Sequence, residues 1–82
     1  MFNKTSLALK AIQNINKELK GSHSNIEKQI LEESVKRIAK LPSDDSDKKN
    51  TKKQIKNSMD MLKKTGSNDE TYETLEELYE YL

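Results

Sequence analysis

The stretch Asp47–Leu82, DKKNTKKQIKNSMDMLKKTGSNDETYETLEELYEYL, decides the fold. It breaks at Thr65-Gly66-Ser67-Asn68, four residues of turn-forming type. Before the break, Lys48–Lys64 carries seven Lys and one Asp, a net charge of +6. After it, Ser67–Leu82 carries six acidic residues and no basic one, a net charge of −6. Both halves repeat their less polar residues at helical intervals. Thr51, Ile55, Ser58, Met59 and Leu62 form one thin stripe, and Tyr72, Leu75, Leu78, Tyr79 and Leu82 form a denser one. Two amphipathic helices with so short a connection lie antiparallel. Their opposite charges are expected to favour docking. The third helix of the chain is expected over about Asp47–Lys64, starting at Ser46, Asp47 or Thr51, with Thr51-x-x-Gln54 as one capping box. The fourth is expected over about Asn68–Leu82, opened by the box Ser67-x-x-Glu70.

Two more helices precede this pair. Ala8, Ile12, Ile15 and Leu19 fall at i, i+4, i+7 and i+11, with Ala11 alongside and Leu7 and Leu9 widening the arc. Asn3 or Thr5 can cap this helix, and Gly21 reads as a left-handed stop. Ser24-x-x-Glu27 is a capping box that opens the second helix. Its stripe is Leu31, Ser34, Ile38 and Leu41, flanked by Ile30 and Val35. Pro42 disfavours helical geometry at Leu41, which ends the helix near Lys40. The segment Pro42–Asp47 reads as a polar loop. The pattern predicts an all-α, antiparallel up-down four-helix bundle in a single domain, residues 1–82. A three-helix bundle with a frayed third helix is the alternative.

Composition limits what such a bundle can do. A chain of 82 residues buries only about 60% of its unfolded surface. That leaves little material for an enclosed cavity. Charged residues make up 35% of the chain, yet the net charge is +1. The whole is therefore neither a nucleic-acid arm nor an acidic mimic. Without Cys, disulfide frameworks and thiolate metal sites are excluded. No run reaches the roughly 20 apolar residues of a membrane span, and Lys10 interrupts the only candidate signal core. The expected location is the cytoplasm, which is compatible with a peripheral contact at the inner face of the membrane.

Residues for chemistry are sparse. His23, the single imidazole, stands next to Ser22 and Ser24 and reads as a solvated loop residue. Asp44-Asp45-Ser46-Asp47 lacks the alternating ligands, central Gly and closing Glu of a calcium loop. It reads as a turn leading to a cap. The carboxylates of the fourth helix fall mostly on its outward arc, where no substrate is enclosed. No catalytic residue, cofactor, metal or small-molecule substrate is expected.

The surface is more informative. Lys49, Lys53, Lys56 and Lys63, with Lys52 and Lys64 at the edges, form a basic set. It holds no Arg for bidentate phosphate contacts and no interleaved aromatic for stacking, which argues against nucleic acid. Met61 and Tyr81 stand off their stripes, Tyr81 roughly 120° from the centre of its face at 100° per residue. Both residue types are enriched at interfaces, so both are candidate anchors. The expected partner-binding set is Lys53, Lys56, Met61, Lys63, Glu73, Glu77, Glu80 and Tyr81.

The order of elements resembles a known family. Four short amphipathic helices, a polar loop before a Lys-rich third helix, Ile26-Glu27-Lys28-Gln29-Ile30-Leu31-Glu32-Glu33-Ser34 and the closing Thr74-Leu75-Glu76-Glu77-Leu78-Tyr79-Glu80-Tyr81-Leu82 are similar to the immunity proteins of class II, pediocin-like bacteriocins of the enterocin A type. The resemblance covers roughly residues 7–82. It implies a non-enzymatic cytosolic bundle that protects the producing cell. It also implies a partner, the complex of a bacteriocin with the membrane subunits of the mannose phosphotransferase permease, engaged from the cytoplasmic side. Specificity in that family is carried by the C-terminal half, here Lys53, Lys56, Glu73, Glu77, Glu80 and Tyr81. A small phage- or plasmid-borne helical regulator that binds a protein partner, with nucleic acid a more distant option, is the alternative function.

Overall fold

A computed structural model describes residues 4–66 and 69–82. Four α-helices follow one another: α1 (Lys4–Leu19), α2 (Asn25–Ala39), α3 (Asp45–Thr65) and α4 (Asp69–Tyr81). Each packs on its two neighbours in a closed ring, α1 on α2, α2 on α3, α3 on α4 and α4 back on α1. The chain is an all-α up-down four-helix bundle. The capping roles read for Asn3 and Ser67 lie outside the described residues.

Local chemistry explains most boundaries. Ser24 accepts from the Glu27 N–H at 3.2 Å, and the Glu27 carboxylate accepts from the Ser24 N–H at 2.9 Å, completing the expected box. Gly66 ends α3 in the left-handed region, at φ 67°. Gly21 is not left-handed, against expectation. Its N–H closes the last turn of α1 onto Glu18 O at 2.9 Å. Leu41 takes the left-handed role instead, at φ 49° just before Pro42. Thr5 lies inside α1, not at its cap.

Helix α3 starts earlier than its sequence suggests. Asp44 is the N-cap, accepting from the Asp47 N–H at 2.7 Å, so Asp45 and Asp47 sit in the first turn. There they offset Lys48 and Lys49 at the positive end of the helix dipole. Thr51-x-x-Gln54 makes no box. Thr51 is buried in the helix interior, and Gln54 Nε2 donates to Ile30 O of α2 at 3.1 Å. At 21 residues α3 is the longest of the four, and the frayed alternative does not apply.

The core runs through Ala11, Ile15, Leu31, Ile38, Ile55, Leu62, Leu75 and Leu78, all essentially inaccessible to water. Helix α4 is rotated from its expected face. Thr71, Thr74, Leu75 and Leu78 point inward, while Tyr72, Tyr79 and Leu82 are half-buried at the edge. Leu41, expected in the α2 stripe, is 40% exposed. Each of two packed helix pairs carries a buried polar bond. Asn14 donates to Thr74 across α1–α4 at 2.9 Å, and the Ser34 and Ser58 hydroxyls meet across α2–α3.

Candidate functional site

The bundle encloses almost no space. At the end where α2 turns into α3, the cleft under Leu41 and Pro42, against Ala8, Thr51 and Leu78, measures only about 10 Å³. That is roughly one water's worth. The larger depressions are open grooves on the seams between helices.

Most of the expected surface set is on the surface. Lys53, Lys56, Lys63, Glu73, Glu77 and Glu80 are exposed, and Tyr81 is 53% exposed. Met61 is the exception. It is buried, one helical side round from the lysines, on the α2–α3 seam beside Ile30 and under the exposed Ile26. Helix α2 covers that side of α3, as the bonds from Gln54 and Ser58 to Ile30 O show. Met61 is therefore a seam residue and not, as expected, an exposed anchor.

The lysines meet an aromatic ring from the next helix. Lys49, Lys52, Lys53, Lys56 and Asn57 of α3 line one groove with Tyr79 of α4, and Lys52 Nζ lies 4.9 Å from the Tyr79 ring centroid. This is cation–π range. No aromatic interleaves these lysines in the sequence, because Tyr79 belongs to another helix and falls on the apolar stripe of α4. A second groove on the same seam holds Leu62 and Lys63 of α3 and the cap Gly66 with Asp69 and Tyr72 of α4. Tyr81 stands two positions on from Tyr79, on a different side of α4. It does not join the lysines.

The expected charge attraction between α3 and α4 takes no form of direct pairing. Among the described residues, no ion pair within 4.0 Å joins a lysine of α3 to α4; the pairs fall on α1, α2 and the turn between them. The Tyr72 and Tyr79 grooves separate the basic row from the acidic one. Apolar contact between the two helices, through residues such as Ile55, Met59, Leu75 and Leu78, holds the hairpin.

His23 is not solvated. Its side chain is only 7% exposed, with Nε2 3.1 Å from Glu18 Oε2 and Nδ1 3.3 Å from Glu27 Oε1. Each ring nitrogen thus faces its own carboxylate. Glu18 also accepts from the Thr71 hydroxyl at 3.4 Å, so this cluster ties the ends of α1, α2 and α4 together. A ring committed to two carboxylates is a structural clasp. The backbone N–H of Ser24, with a smaller contribution from His23, holds the Glu27 carboxyl below the usual glutamate range. Asp44, Asp45 and Asp47 are spent on the α3 cap and first turn, and among the described residues no group of three or more His or acidic side chains is arranged to hold a metal. No helix in this part of the chain is long and apolar enough to cross a membrane.

No protein-family model matches the chain, nor does any curated protein or solved structure.

Proposed function

We propose that the protein is a non-enzymatic protective protein of the class II bacteriocin-immunity type, acting in the cytoplasm at the inner face of the membrane. Its mechanism is steric. The α3–α4 hairpin docks on a mannose-permease-type receptor occupied by bacteriocin and blocks leakage. The observation that carries this reading is the exposure of Lys53, Lys56, Lys63, Glu73, Glu77, Glu80 and Tyr81 on those two helices, in a bundle whose interior is filled. The fold also agrees with what the sequence resemblance implies.

Expression in a bacteriocin-sensitive strain tests the proposal. Lower sensitivity to at least one pediocin-like peptide supports it, and unchanged sensitivity to every such peptide overturns it. A second reading is a small helical regulator that binds a protein partner, favoured by the groove that joins Tyr79 to the α3 lysines. Retardation of nucleic acid in a gel, weakening steeply with salt, would select the more distant nucleic-acid version of that reading.

A further inference from the structure

The outer face of the α3–α4 hairpin, which includes Lys56 and Glu80 of the exposed set above, has an internal symmetry of charge. Lys52 and Lys56 run along one side of the seam, and Glu76 and Glu80 run along the other. Tyr72 and Tyr79, seven residues apart and half-buried, lie between the rows. An aromatic centre with a charged rim is the anatomy of a protein interface. A uniformly anionic partner, whether a nucleic acid or a lipid surface, gains from the lysine row and is repelled by the glutamate row. A partner that satisfies both rows must carry the same two charges in exchanged positions.

We propose that this partner is a second copy of the chain, in a two-fold dimer whose axis runs along the α3–α4 seam. Rotation by 180° about that axis lays α3 of one protomer over α4 of its partner, and α4 over α3. It leaves every residue at its own height along the bundle. The heights match. Lys52 is level with Tyr79, where its ammonium lies over the ring, and Leu62 and Lys63 are level with Tyr72. Lys56, one turn on from Lys52, is thus level with Glu76, one turn back from Glu80. Both rows then find opposite charge at once, and Tyr79 meets its symmetry mate on the axis. A two-fold axis perpendicular to the helices would set like charge on like, so the charges select one of the two orientations. The face is two helices wide and about 20–30 Å long at 1.5 Å per residue. This is the small end of specific interfaces, so the dimer is reversible and salt-sensitive.

Light scattering on the purified chain over a range of concentration and salt tests this. The expected result is a monomer–dimer equilibrium at low salt that shifts at least tenfold toward monomer as salt is raised. Two variants sharpen it. Lys52→Glu/Lys56→Glu makes both rows acidic, and Glu76→Lys/Glu80→Lys makes both rows basic. Each alone should be monomeric, and an equimolar mixture should dimerise. A monomer under all conditions overturns the proposal, as does a dimer that survives in either variant alone. If a variant fails to fold, amide shifts of the unaltered chain on dilution decide. Changes confined to α3 and α4 support the dimer, and changes centred on α1 or α2 overturn it. None of these outcomes depends on whether the chain confers protection.

Discussion

Asn14 of α1 donates from Nδ2 to the Thr74 hydroxyl of α4 at 2.9 Å, and both side chains are at least 95% buried. Thr74 in turn donates to Glu70 O at 2.8 Å. The hydroxyl thus both accepts and donates, and the Asn amide spends a donor across the interface. Thr74→Val strands that donor and should cost about 1–3 kcal/mol. Replacing both partners by apolar groups, as in Asn14→Leu/Thr74→Val, removes the unsatisfied group and should recover part of the loss. Denaturant unfolding of the two singles and the double closes the cycle. A double no more stable than the sum of the singles would show that the bond does not couple these positions.

The apolar side of the same interface carries more. Leu75 is fully buried against the core. Leu75→Ala should cost about 2–5 kcal/mol, a large share of the roughly 4–12 kcal/mol expected for a chain of this length. Thermal melting followed by circular dichroism should show most of the protein unfolded at temperatures the parent withstands. Glu77→Lys, on the exposed arc of α4, should cost less than about 1 kcal/mol.

The contrast between these two positions also marks what a sequence can disclose. Ile55, Leu62, Leu75 and Leu78 were legible as core because aliphatic side chains at helical spacing have one favourable place to go. Thr71, Thr74 and Asn14 were not. A hydroxyl or amide enters a core only when a partner waits there, and those partners sit on other helices. Their burial rotated α4 and pushed Tyr72 and Tyr79 to the edge. The burial of Met61 is hidden in the sequence for a related reason. On α3 alone it lies off the stripe, and only the packing of α2 gives that side a cover. The surface charges were legible individually, but the Lys52–Tyr79 contact and the separation of the charged rows by two tyrosines arise only when the helices are assembled. His23 shows the same limit, since its two carboxylates come from the helices before and after it.

Glu27 gives the fold an acid-sensitive element. Its folded-state pKa is lowered, first by the Ser24 N–H that its carboxylate accepts. A depressed carboxyl contributes stability above its unfolded pKa and loses it as pH falls through the folded value. Glu27→Gln keeps a side chain that can still reach the cap N–H but removes the charge. The parent should therefore be more stable than this variant at neutral pH, and the gap should close as acid is added through and below the normal glutamate range. Urea midpoints measured at several pH values check this. A gap that stayed constant would mean that the charge of Glu27 is not what the cap uses.

Leu41 holds a backbone position that usually belongs to glycine. Its φ is 49°, its N–H closes on Ile38 O at 3.0 Å, and Pro42 bars the right-handed helix from continuing. A side chain in the left-handed region costs about 1–2 kcal/mol. Against that cost, the Leu41 side chain roofs the small cleft at this end of the bundle, beside Pro42, Leu78 and Leu82. Two substitutions separate the terms. Leu41→Ala removes the roof and keeps the strain. Leu41→Gly removes both, at the expense of about 0.5–1 kcal/mol of extra freedom in the unfolded chain. Glycine should therefore be the more stable of the two by about 0.5–1 kcal/mol, measured by denaturant midpoints with equal slopes. If alanine were the more stable, relief of backbone strain at the α2–α3 turn would be smaller than the entropy glycine adds, and the left-handed geometry of Leu41 would be of little energetic consequence.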